Sequence, residues 1–192
     1  MNRLFVVSVL GVALLLASFV AVLYRTGDEE RAGSAPSPAA AVPKPASVKP
    51  LGAPSGEPAL RIEGVKRGNV SATVTEVDFA TLDRAATQKI TVFEPFVKRE
   101  MTFSVIPMAE LLQRAGVDPS ARELYMHALD DYHVDLPVAG LKEAGFLATR
   151  LDGKKIPIAK GGPIRLLFSG DGKLARDTDN WIWSFDSARV ER

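Results

Sequence analysis

The chain has 192 residues, 46% of them hydrophobic, and its charges cancel to a net +1. That length allows one globular domain beside non-globular segments, and the neutral balance gives no electrostatic footprint for nucleic acid, so no nucleic-acid partner is expected. The chain contains no cysteine, which excludes disulfides, zinc–thiolate sites, iron–sulfur clusters and thiol nucleophiles built from its own residues.

Leu4 to Leu23 carry no charge. As a helix they would span about 30 Å, the hydrocarbon thickness of a bilayer, and they exceed the roughly 7–15-residue core of a cleaved secretory signal. Ala17 follows Leu15 and Ala21 follows Phe19, so neither makes a good small-x-small cleavage site. Residues 4–24 therefore read as a transmembrane anchor or uncleaved signal, with Tyr24 at the interface. Arg3 lies before the span, and Arg25 and Arg31 follow it among Asp28, Glu29 and Glu30, so the charge bias is weak. A short N-terminus ahead of a long body favours an inside N-terminus. The expected location is single-pass in a bacterial inner membrane, with the globular domain in the periplasm or outside the cell.

Residues 25–58 read as a linker. Pro36, Pro38, Pro43, Pro45, Pro50, Pro54 and Pro58 stand among Ala, Ser, Gly and Lys, and proline removes the donors that a ladder requires. A wholly polyproline-like tether of this length reaches about 100 Å.

The globular domain is expected over 59–192. Leu60–Val65 and Ala72–Val77 alternate as strands do. Asp78 caps a short helix over Phe79–Ala85. Ile90–Phe93 and Lys98–Ser104 read as a hairpin. Pro107 suits the first turn of a helix whose stripe is Leu111, Leu112 and Ala115, and Gly116 suits its stop. Strands follow at Glu123–Leu129 and His133–Leu136, separated by a corner at Asp130-Asp131-Tyr132, and then a short helical stretch runs through Leu141 and Ala144. Two apolar runs flank Asp152-Gly153, a pair suited to the positive φ angles of a type I′ turn. The run Ile164–Phe168 reads as a buried strand, Gly170–Asn180 as a polar loop, and Trp181–Val190 as a terminal segment in which Trp181 and Trp183 share a face. Many short strands with a few short helices make this an α+β fold.

The individual chemical signals are weak. His127 and His133 with Asp130, Asp131 and Asp135 match no metal-ligand spacing, and Asp130-Asp131 is most simply a turn pair. Gly161-Gly162-Pro163 lacks the helix and lysine of a phosphate loop. Ser104, Ser169 and Ser184 lack the setting of a nucleophile elbow.

Several stretches taken together resemble a known family. Ile106–Gly116 (IPMAELLQRAG), Ala128–Pro137 (ALDDYHVDLP), Leu147-Ala148 with Asp152-Gly153, Gly162–Leu166 (GPIRL) and Trp183–Val190 occur in the order and spacing of the oxidoreductase molybdopterin-binding domain, the fold of sulfite oxidase and its bacterial relatives. The likeness runs from about Leu60 to Glu191 and is closest to the family's short, stand-alone members. It implies a molybdenum-ligating cysteine at the end of the strand over Ile90–Phe93 and a cofactor-holding lysine before the terminal tryptophan. This chain reads Phe93-Glu94-Pro95-Phe96 at the first place and Asn180-Trp181-Ile182-Trp183 at the second.

The expectation is a membrane-anchored domain of this fold that binds no molybdenum through thiolate and serves as a module for a small ligand or protein partner. No cofactor is the leading expectation, with molybdopterin as the other possibility. The alternative function is a molybdopterin-dependent oxidoreductase with a non-cysteine metal site. A third reading is an assembly partner of a membrane complex. By resemblance and residue type the cleft is walled by Phe93, Glu94, Arg99, Asp131, Tyr132 and Trp183, with no catalytic residue and no metal ligand assigned.

Overall fold

The computed structural model describes residues 49–67 and 70–191, with side chains described outside 65–72. The anchor expected over 4–24 and most of the linker lie outside the described residues. No described helix is long and apolar enough to cross a membrane.

Among the described residues the elements are, in order, β1 (Pro58–Arg67), β2 (Val70–Asp78), α1 (Phe79–Ala85), β3 (Gln88–Glu94), β4 (Arg99–Pro107), α2 (Met108–Ala115), β5 (Glu123–Ala128), β6 (His133–Pro137), α3 (Val138–Ala144), β7 (Gly145–Leu151), β8 (Lys154–Lys155), β9 (Arg165–Phe168), α4 (Lys173–Arg176) and β10 (Phe185–Glu191). One sheet runs β2-β1-β10-β5-β6, antiparallel except for the parallel pair β1–β10. The second runs β3-β4-β7-β8, with β9 also on β7, and is antiparallel throughout.

Period-two alternation decides which face each strand buries. Met101, Phe103 and Val105 of β4 point inward while Thr102 and Ser104 do not, and Leu124, Met126 and Ala128 repeat the pattern in β5. These residues join Leu60 and Ile62 of β1, Leu147 of β7, Leu166–Phe168 of β9 and Phe185 of β10 in one apolar cluster that draws on both sheets. A fully buried side chain such as Phe103 contributes about 1.5–3 kcal/mol by leaving water. Helix α2 adds Met108, Leu111, Leu112 and Ala115 to the cluster and packs on α3 and β7. Its limits are local: Pro107, the last residue of β4 and the N-cap, has φ −57° and no N–H to carry the ladder further, and Gly116 ends the helix in the left-handed region at φ 85°. Asp152 (φ 50°) and Gly153 (φ 76°) form the expected turn between β7 and β8.

Three local expectations change. The strand after that turn is only two residues long, because Ile156 turns into the core and Ile158–Lys160 coil into a 3-10 turn. The polar loop contains α4 and a second 3-10 turn at Thr178–Asn180. The end of the stretch expected to be linker packs on the domain. Leu51 is buried in the core, its N–H donates to the Arg114 carbonyl at 3.3 Å, and the N–H and hydroxyl of Ser55 both donate to Asp78 at 2.6 and 2.8 Å.

Candidate functional site

Strand β9 is buried at all four positions, and the cation within it, Arg165, therefore needs a partner. The partner comes from the end of β3. Arg165 Nη1 donates to Glu94 Oε1 at 3.3 Å, with side-chain exposures of 4% and 0%. The second Glu94 oxygen accepts the Val97 N–H at 2.6 Å, and the Glu94 carbonyl accepts the Lys98 N–H at 2.8 Å, so Glu94 also closes the β3–β4 turn. The guanidinium carbon sits 3.9 Å from the centre of the Trp183 ring and 5.9 Å from that of Phe103. Burial pushes the Arg165 guanidinium down while Glu94 opposes the shift; an arginine so placed remains charged. Arg165 Nε and Trp183 Nε1 are buried donors without a hydrogen-bond partner.

Beside this pair lies an open cavity of about 320 Å³. Ile182 exchanges both backbone hydrogen bonds with Leu166, at 2.9 and 3.1 Å. That bridge fixes an extended stretch in which Trp181 and Trp183 both reach the cavity. Trp181 is 7% exposed, donates from Nε1 to the Ala175 carbonyl at 3.1 Å, and lies 6.3 Å edge-on to Phe168. Trp183 meets Phe96 edge-on at 5.5 Å, with the ring planes at 79°. Behind it Gly161 has φ 74°, and an added Cβ would come within 2.7 Å of the indole, so the backbone approaches there because no side chain intervenes. Opposite stand Tyr132, whose hydroxyl donates to the Asp179 carbonyl at 2.5 Å, and Asp130, Thr178 and Asp179. Burial first, then the charges of Asp179 and Asp177, pushes the Tyr132 phenol up. No lysine or arginine is among the residues lining this cavity.

The sequence-selected residues thus separate. Tyr132 and Trp183 line this cavity. Phe93, 61% exposed, lines a second one of about 430 Å³ on the far side of Trp181, together with Arg176. Glu94 lies beneath, in the ion pair. Arg99 is exposed at the start of β4, opposite Glu94 in the ladder. Asp131 takes φ 65° in its turn with its side chain wholly in solvent. His127 Nδ1 lies 2.9 Å from Asp186, and His133 stacks on Tyr125 at 5.3 Å. Among the described residues no three of His, Cys, Asp and Glu gather as metal ligands do. The residues missing from the expected cleft are Phe96, Asp130, Thr178, Asp179 and Trp181, which line the cavity, and Arg165, which lies against the Trp183 ring. Two of these had a signal: Trp181, two positions from Trp183 and on the same face of an extended segment, and Arg165, a lone charge inside an apolar run; Asp179 sits in a polar loop with none.

The two sheets, their shared core and the short helices define a β-rich α+β domain with a cleft between the β3–β4 turn, the β5–β6 corner and the segment before β10. The sequence model of the family described as "Oxidoreductase molybdopterin binding domain" matches residues 67–172, more than half of the chain, and the protein belongs to that family. Among solved structures, the sulfane dehydrogenase SoxCD from Paracoccus pantotrophus is similar over 68% of this chain at 18% identity, with a TM-score of 0.48. This chain spans 37% of that protein's length. No curated protein sequence matches.

Proposed function

We propose that this protein is a membrane-anchored, extracytoplasmic binding module on the molybdopterin-domain fold, whose cleft takes a ligand or protein partner without molybdenum held through sulfur. The Glu94–Arg165 pair carries the reading. At the strand end where the family resemblance puts a thiolate, the chain has no cysteine, and both oxygens of the buried carboxylate are engaged, one by Arg165 and one by the Val97 N–H. Opening that carboxylate to a metal would strand a buried guanidinium. The resemblance puts a lysine before the terminal tryptophan, but here Asn180 precedes Trp181 and Ile182 precedes Trp183; Asn180 is 7% exposed with its amide donating to the Leu174 carbonyl at 3.2 Å, and Ile182 is buried. The cavity wall presents two carboxylates and no cation, a poor match for the phosphate of a pterin cofactor. These residues do not fit the family's cofactor.

The test is metal and pterin analysis of full-length protein purified from its native host. The expected result is molybdenum and pterin at background. Stoichiometric molybdenum with pterin overturns the reading and favours an oxidoreductase with a non-cysteine metal site.

A further inference from the structure

Resting on that binding-module reading and naming its ligand, we propose that the cavity between Phe96, Tyr132, Trp181 and Trp183 is a site for a small organic cation, an alkyl- or quaternary ammonium head. Its volume of about 320 Å³ lies in the range of small-molecule sites, which begins near 300 Å³. Four aromatic side chains line it. Phe96 and Tyr132 are 51% and 39% exposed, so their rings are not consumed by the core, and Phe96 stands nearly perpendicular to Trp183, which gives the wall a corner. Aromatic faces carry negative quadrupole density that attracts weakly hydrated cations. Trp183 already serves a cation in this way on its Arg165 side.

The charge at the rim has the matching sign. Asp130 and Asp179 line the cavity. The Asp130 carboxylate receives a long 3.4 Å contact from the Tyr132 N–H, whereas that of Asp179 accepts no hydrogen bond and joins no ion pair among the described residues. A neutral guest would shield these carboxylates from water without replacing its hydrogen bonds, and an anion would be repelled. A bare metal ion would find no cluster of ligands and would gain little from aromatic walls. An ammonium with an apolar shell satisfies both the rings and the carboxylates.

The experiment is calorimetric titration of the full-length chain in detergent with choline and tetramethylammonium, against 3,3-dimethylbutan-1-ol as the neutral counterpart of choline and benzoate as an anion. Trp181 and Trp183 are the chain's two tryptophans, so intrinsic fluorescence reports the same event. Choline should bind at least about tenfold more tightly than its neutral counterpart. Asp179→Asn and Phe96→Ala should each weaken it about tenfold. Tyr132 bonds to the Asp179 peptide carbonyl rather than to its side chain, so the Asn variant keeps that bond, and an unchanged melting temperature confirms that it folds. Equal or tighter binding of the neutral alcohol or benzoate, no binding of either cation, or an Asp179→Asn variant that binds as the parent does overturns the cation assignment. Benzoate or alcohol binding that is lost in Phe96→Ala would overturn only that assignment and leave the binding module standing. The module itself fails on stoichiometric molybdenum in the same preparation.

Discussion

Replacing Glu94 by alanine removes the counter-charge of a guanidinium whose side chain is 4% exposed. Breaking a buried pair by deleting one partner costs about 3–5 kcal/mol, because the survivor is left charged in low dielectric. The Val97 N–H loses its acceptor as well, for about 1 kcal/mol more. A total of about 4–6 kcal/mol is comparable to the whole stability of a small domain, roughly 5–15 kcal/mol. With a urea m-value of about 2 kcal/mol/M, the midpoint should fall by about 2–3 M. Arg165→Met alone should be similarly harmful, stranding a carboxylate at 0% exposure. The double variant Glu94→Leu/Arg165→Met removes both charges and should recover all but about 1 kcal/mol, since well-packed apolar residues replace buried pairs at little net cost. Urea denaturation of the parent, Glu94→Leu, Arg165→Met and the double variant completes a double-mutant cycle. If Glu94→Ala costs less than about 1 kcal/mol, or the double variant loses the sum of the singles, Glu94 and Arg165 do not form a coupled buried ion pair.

Leu51→Ala tests the docking of the linker's end. Leu51 is 4% exposed, and truncation of a buried leucine costs about 2–5 kcal/mol; an effect below about 0.5 kcal/mol, the range of ordinary surface substitutions, would show that the segment contributes no core. Asp78 gives a pH signature. Its carboxyl is held well below the usual carboxylate range, chiefly by the Ser55 N–H and then by the Thr81 N–H and the Ser55 hydroxyl. A depressed folded pKa stabilises fully above the unfolded value of about 3.9, and that contribution fades as pH falls toward the folded one. Asp78→Asn should therefore be less stable than the parent at neutral pH, and the gap should narrow below about pH 4. A gap that stays constant from neutral to acid pH, measured by urea midpoints, would refute the assignment.

Much of the fold was legible residue by residue. Alternation in Met101–Val105 and Leu124–Ala128 specified strands and their inward faces. Asp78, Gly116 and Asp152-Gly153 marked a cap, a stop and a turn that the backbone angles match. Family membership was likewise readable from short motifs in order. These are short-range properties: each depends on side-chain shape, φ preference or periodicity within a few residues. The shortened β8 and the helical turns inside the polar loop escaped because their ends are set by what Ile156 and Leu174 pack against, not by their own composition.

The site was decided elsewhere. Glu94 and Arg165 are 71 positions apart, and Tyr132 and Asp179 are 47 apart; nothing within either window names its partner. Resemblance and residue type suggested Phe93, Glu94, Arg99 and Asp131 beside Tyr132 and Trp183, yet the fold places only the last pair in one cavity. Sequence determined which segments become strands, helices and turns, and which of their faces are apolar, because those follow from local sterics and hydration. Only the packing of β3, β9 and the segment before β10 decided which charge is neutralised within the fold and which carboxylates are left facing a cavity, because burial and pairing are properties of the assembled core.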